Sequence, residues 1–162
     1  MIWQIHSTGS AETELLAEQI GKHLIGGQSI ELRADLGGGK TTFTKGLARG
    51  LGVKEQVTSP TFVVERCYSG NNKIILRHFD IFRLDDPGLL KQQIEESVNE
   101  PNTVTVIEWA DNARQVLPKD RLTITLSMLP NNFDARQIVI EYTPSFQKLI
   151  LEVQNTWNKE NQ

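Results

Sequence analysis

The stretch Ala34-Asp35-Leu36-Gly37-Gly38-Gly39-Lys40-Thr41-Thr42, "ADLGGGKTT" at residues 34–42, decides how the chain is read. Three glycines in a row cost backbone entropy and put no side chain into a core. What they offer is bare backbone that can close around a ligand. The flanks favour that use. Upstream, "SIELRA" alternates as a short strand does. Downstream, "KTTFTKGLARGLG" has helical spacing and stops at Gly50 and Gly52. Strand, glycine loop, Lys-Thr and helix is the order of a phosphate-binding loop. Loop N–H groups and the positive end of the helix dipole surround phosphate oxygens. Lys40 is then placed for the β- and γ-phosphates and the Thr41 hydroxyl for Mg²⁺. Against the pattern G-x-x-x-x-G-K-[ST], the first position is Ala34, which serves if its φ stays negative.

A phosphate loop binds; chemistry needs acids near the metal. Two acids close apolar runs, Asp80 in "ILRHFDIFRL" and Glu108 in "VTVIEW". Each is expected at a strand end facing the loop, one holding Mg²⁺ and the other orienting water. A third feature is "VTSPTF", Val57 to Phe62, a loop of small hydroxyls and Pro60 that reads equally as a γ-phosphate sensor or as an ordinary turn entering a strand. His78 reads as a packed or hydrogen-bonded histidine. With three histidines and one cysteine there is no zinc-type cluster.

The remainder of the chain fits an α/β domain with a mixed sheet. "SAETELLAEQIGKHL" reads as a helix capped by Ser10. "TFVVERCYSGNNKIILRHFDIF" reads as two β runs split by a turn. "DPGLLKQQIEESV" is a helix entered through Pro87, and "NTVTVIEWA" a buried strand. "RLTITLSML" and "RQIVIEYT" form a strand pair with "PNNFDA" as the turn. "PSFQKLILEVQNTW" is an amphipathic closing helix. The expected organisation is a single phosphate-loop domain over residues 1–155 and a frayed polar tail over residues 156–162.

At 162 residues, 38% hydrophobic and 23% charged, the composition is that of one ordinary globular domain. The net charge of −3 argues against a protein that chiefly neutralises nucleic-acid phosphates. Cys67, the one cysteine, excludes an internal disulfide and reads as a buried packing residue. No apolar run reaches the roughly 20 residues of a membrane span. The start "MIWQIHSTGS" has no basic n-region or apolar h-region, so the expected location is cytoplasmic.

Four stretches, "LGGGKTTFTKGLARGLG", "VTSPTF", "HFDIFRL" and "VIEW", in this order and spacing, resemble the TsaE (YjeE) family. These are small bacterial ATPases of threonylcarbamoyladenosine biosynthesis on tRNA, and the similarity runs from about residue 10 to residue 143. The resemblance implies a three-layer fold like that of phosphate-loop NTPases, with a mixed parallel and antiparallel sheet. It implies ATP and Mg²⁺ as ligands and slow hydrolysis by the chain alone. It implies TsaB and TsaD as partners, a complex reset by hydrolysis, and contact with tRNA only through that complex. Carried over by position, Leu36, Gly37, Gly38, Gly39, Lys40, Thr41 and Thr42 hold the phosphates. Thr41 and Glu108 ligate Mg²⁺; Asp80, Glu108 and Lys40 form the catalytic centre. Ser59, Pro60 and Thr61 form the switch-like loop, Trp109 is the functional tryptophan, and Arg136 closes over the nucleotide. The chain departs from the family pattern at Ala34, where glycine is usual, at Gly38, where alanine is common, and at Phe82, where tyrosine is usual.

Two other readings stay open on the residues alone. One is a small-molecule phosphotransferase. The other is a nucleotide-dependent binding module without useful hydrolysis. A GTPase is disfavoured, because no Asn-Lys-x-Asp signature is present.

Overall fold

The computed structural model describes residues 1–60, 63–82, 88–109, 115 and 117–160. The strands are β1 (Ile2–Ser7), β2 (Ser29–Ala34), β3 (Glu65–Ser69), β4 (Ile75–Asp80), β5 (Thr103–Glu108), β6 (Leu122–Leu129) and β7 (Asn132–Glu141). The helices are α1 (Ser10–Lys22), α2 (Lys40–Gly50), α3 (Gly88–Asn99) and α4 (Gln147–Glu160). The strands form one seven-stranded sheet in the order β1-β7-β6-β2-β5-β4-β3. β2 pairs in parallel with β5 and β6, and β4 in parallel with β5. The β1–β7, β6–β7 and β3–β4 pairs are antiparallel. This is the mixed sheet of an α/β domain.

The centre of the sheet is apolar on both faces. β5, "TVTVIE", is β-branched at five of its six positions and buried throughout, as a doubly covered strand requires. Its Val104 and Val106 join the larger core with Leu16 and Ile20 of α1, Phe43 and Leu47 of α2, and Ile150 and Val153 of α4. Ile107 faces the other way, into a smaller core with Phe79, Ile81 and, from α3, Ile94. Helices therefore cover both faces, giving three layers. α1 and α2 approach closely because Gly46 has no side chain: a Cβ there would lie 2.2 Å from the Glu14 carbonyl oxygen.

Several sequence expectations need correction. β1 went unread; its identity comes from pairing with β7, Ile2 opposite Glu141. The turn "PNNFDA" is shorter than expected, because β7 begins at Asn132. The tail does not fray from residue 156: α4 continues to Glu160 and buries Trp157 in the larger core. Cys67 is exposed, not buried. It sits on the edge strand β3, with its thiol 3.3 Å from Glu65 Oε1. Partial burial of the sulfur, ahead of Glu65, pushes that thiol up from its ordinary pKa. α1 begins at Ser10 with Gly9 in the cap position, and Ser10 makes no side-chain cap. Glu12 instead accepts bonds from the backbone N–H and the hydroxyl of Thr8. Pro87 lies outside the described residues.

Candidate functional site

Three parallel strands end together. β2 stops at Ala34, β4 at Asp80 and β5 at Glu108. The β4–β5 register sets Asp80 directly beside Glu108, and the β2–β5 register sets Leu32 beside Glu108. In open α/β sheets, ligands bind at the carboxyl ends of such strands.

The glycine loop is built from three separate backbone needs. Gly37 and Gly39 have φ of +74° and +109°, a region that side chains disfavour. Gly38 has an ordinary φ, but an added Cβ would lie 2.6 Å from the Ala34 Cβ. With Ala34 in place, position 38 has no room for a methyl group. The Asp35 carbonyl oxygen, 2.9 Å from the same point, crowds it further. Ala34 is not among the residues with positive φ, so it meets the condition set for it above. The loop closes on a bond from Gly38 N–H to the Asp35 carbonyl (2.9 Å), and α2 begins with Phe43 N–H donating to Gly39 (2.9 Å).

Lys40 is buried at the first position of α2. Its Nζ donates to the carbonyls of Ala34 (3.0 Å) and Asp35 (3.2 Å) and lies 4.0 Å from the centre of the Trp109 ring. Burial lowers the pKa of this ammonium, against the pull of Glu108, Asp80 and Asp35. Trp109 itself has φ +58°, an uncommon value for a residue with a side chain. Its ring also packs on Phe82, with centroids 4.7 Å apart. Asp80 is buried and accepts the Phe82 N–H at 3.0 Å.

A cavity of about 280 Å³ joins these groups. Leu36, Gly37, Gly38, Gly39, Lys40, Thr41, Thr42, Ser59, Asp80, Phe82, Glu108 and Trp109 line it. Pro60 is not in that lining; its carbonyl accepts from Val63 and Val64. Val64, a β-branched residue at φ +68°, in turn accepts from the Asp80 N–H. The segment after Ser59 is thus tied to the acid by one strained residue. Thr61 lies outside the described residues.

Arg136 reaches the loop from β7. Its Nε donates to the Gly38 carbonyl at 2.9 Å, and Nη1 donates to the carbonyls of Phe133 (2.6 Å) and Ala135 (2.9 Å). It lines a second cavity of about 380 Å³ on the other side of Gly39 and Thr42. Thr8, Gly9, Ser10, Ala11, Thr13 and Asp134 complete that wall. Sequence reasoning did not assign these six, because nothing local links residues 8–13 to residue 134; the β1–β7 pairing brings them together.

Hard oxygen donors from Thr41, Asp80, Glu108 and Ser59 in one cavity suit Mg²⁺, which takes one or two carboxylates and completes its shell with phosphate and water. Among the described residues there is no cluster of three or more His, Cys, Asp or Glu that would hold a metal by protein ligands alone.

A family model described as "Threonylcarbamoyl adenosine biosynthesis protein TsaE" matches residues 7–151. The chain belongs to the TsaE family. Relatives named tRNA threonylcarbamoyladenosine biosynthesis protein TsaE share this sequence at length. The Bacillus subtilis protein is 31% identical over 141 residues, 87% of this chain and 86% of its own. The Streptomyces coelicolor protein is 37% identical over 112 residues, 68% of this chain and 76% of its own. The Treponema pallidum protein is 35% identical over 126 residues, 76% of this chain and 90% of its own. The crystal structure of Bacillus subtilis YdiB superposes with a TM-score of 0.78 at 28% identity, over 96% of both chains. Among the described residues, no helix of this TsaE-family chain is long and apolar enough to cross a membrane.

Proposed function

We propose that the chain is a Mg²⁺-dependent ATPase that acts with TsaB and TsaD in forming threonylcarbamoyladenosine on tRNA. The observation that carries this is the single cavity in which the glycine loop, Lys40 and Thr41 meet Asp80 and Glu108. The nucleotide's phosphates lie against residues 36–42, and its nucleoside occupies the second cavity, beside Thr42 and Arg136. Lys40 exchanges its bonds to the Ala34 and Asp35 carbonyls for phosphate oxygens. Thr41 and Glu108 are the residues that would hold Mg²⁺, which would supply charge neutralisation to the phosphates. Asp80, next to Glu108, orients the attacking water. Its bond through Val64 to the segment after Ser59 gives that loop a route to respond when the γ-phosphate leaves.

The mouth of the cavity supports a partner-completed site. Leu36 is 75% exposed and Phe82 45% exposed, apolar side chains that a docking protein would cover. The net charge of −3 supports contact with tRNA only through the partners. The cytoplasm is the location this work requires.

The test is ATP hydrolysis by the purified chain, alone and with cognate TsaB and TsaD, beside Glu108→Ala. Slow turnover that the partners raise and the variant loses is the expected result. Equal turnover by wild type and variant, or an activity that depends on a small-molecule acceptor, would overturn the proposal.

A further inference from the structure

His78 is fully buried in the middle of β4. Its Nε2 lies 2.8 Å from Glu108 Oε1. Its Nδ1 has no hydrogen-bond partner among the described residues. A carboxylate only accepts, so Nε2–H is the donor in this bond. Packing alone does not call for a histidine here. A phenylalanine would fill the space without burying an unpartnered polar atom. The bond to Glu108 is what the imidazole adds.

The register makes that bond. β4 and β5 are parallel, with His78 opposite Val106 and Asp80 opposite Glu108. His78, Asp80 and Glu108 therefore fall on the same face of the sheet, one pleat apart. His78 is further from the cavity than either acid and does not line it. It can act on the reaction only through Glu108.

We propose that His78 is a positioning residue for the metal ligand: its Nε2–H holds Oε1 of Glu108 so that Oε2 is presented to Mg²⁺ in one orientation. The inference rests on the Mg²⁺–nucleotide reading of the cavity. An unheld glutamate would sample several rotamers, and each metal-binding event would have to select the right one. Hydrogen bonds that orient metal-ligating side chains are worth about 10–100-fold in metal affinity or activity. The apparent affinity for Mg²⁺ is where the effect falls. Nucleotide binding without metal, which uses the glycine loop and Lys40, is spared.

The experiment titrates a fluorescent ATP analogue onto the full chain, first in EDTA and then at stepped Mg²⁺ concentrations. Wild type, His78→Phe and His78→Gln are compared, and their thermal unfolding is recorded. The glutamine amide nitrogen reaches about as far as Nε2 and can donate to Oε1. The expected result is the same affinity in EDTA for all three. The half-saturating Mg²⁺ concentration rises at least about tenfold in His78→Phe and returns most of the way in His78→Gln. If His78→Phe does not fold, His78→Asn, polar but too short to reach Oε1, carries the same expectation. A folded His78→Phe chain with the wild-type Mg²⁺ requirement overturns the inference and leaves the ATP site standing. So does a folded His78→Gln chain as defective as His78→Phe. A wild-type chain that binds no nucleotide with or without Mg²⁺ overturns the site reading, and this role with it.

Discussion

Ala34 and Gly38 show how closely the glycine loop constrains its own residues. A methyl group on Gly38 would sit 2.6 Å from the Ala34 Cβ and 2.9 Å from the Asp35 carbonyl oxygen. Gly38→Ala must therefore shift the loop and weaken nucleotide binding. Ala34→Gly, which vacates the first contact, should relieve part of that damage. A double-mutant cycle on ATP-analogue affinity reads this directly. The expected coupling is about 0.5–3 kcal/mol, with the double variant less impaired than the two single effects added. Additive effects would mean that the methyl groups do not meet. Much of this site was legible from residues alone. The glycine loop and the two acids announce themselves by type and by place at the end of apolar runs, and all of them line one cavity. What was not legible depends on register. Nothing in "HFD" and "VIEW" says that His78 and Glu108 will be hydrogen-bonded, because the pairing of two parallel strands is set by the helix and loops between them.

At the scale of elements, the sheet core and the α1–α2 contact make separate predictions. Gly46→Ala places a methyl group 2.2 Å from the Glu14 carbonyl oxygen and 2.6 Å from the Ala17 Cβ. Alanine gains up to about 1 kcal/mol in helix propensity. Overpacking costs about 1–3 kcal/mol and wins. For a chain of this size each kcal/mol lowers Tm by about 2–4 °C; calorimetry showing an unchanged or raised Tm would refute the close approach. Glu31 on β2 makes the second prediction. It is buried and accepts bonds from Arg33 Nε and Arg121 Nε, both at 2.8 Å. Burial pushes its carboxyl up, and the two arginines more than cancel that, so its pKa lies below the usual 4.5. A carboxyl lowered by folding stabilises the fold above its unfolded pKa and loses that contribution as pH falls through the folded one. Urea midpoints should therefore fall below pH 4.5, and more shallowly in Glu31→Gln. Parallel acid limbs would contradict the pairing. Elements with a local signal, such as the β-branched β5 and the α2 that follows the glycine loop, could be read from sequence. β1 and the end of α4 could not, because a partner strand and the burial of Trp157 define them.

The whole molecule brings one surface together from distant parts of the chain. The loop after β2 supplies bare backbone and Lys40, β4 and β5 supply acids, and β7 returns Arg136 to the Gly38 carbonyl. On the far side of the loop, residues 8–11, Thr13 and Asp134 wall the second cavity. The central claim is that this surface binds ATP through Lys40 and Mg²⁺. The most direct measurement is a calorimetric titration of ATP into the purified chain with Mg²⁺, repeated with Lys40→Ala. The account predicts one site, and an affinity about 10–100-fold weaker in the variant, the scale of a lost hydrogen bond to a charged group. No heat of binding in the wild type, or equal affinity in the two proteins, would contradict it.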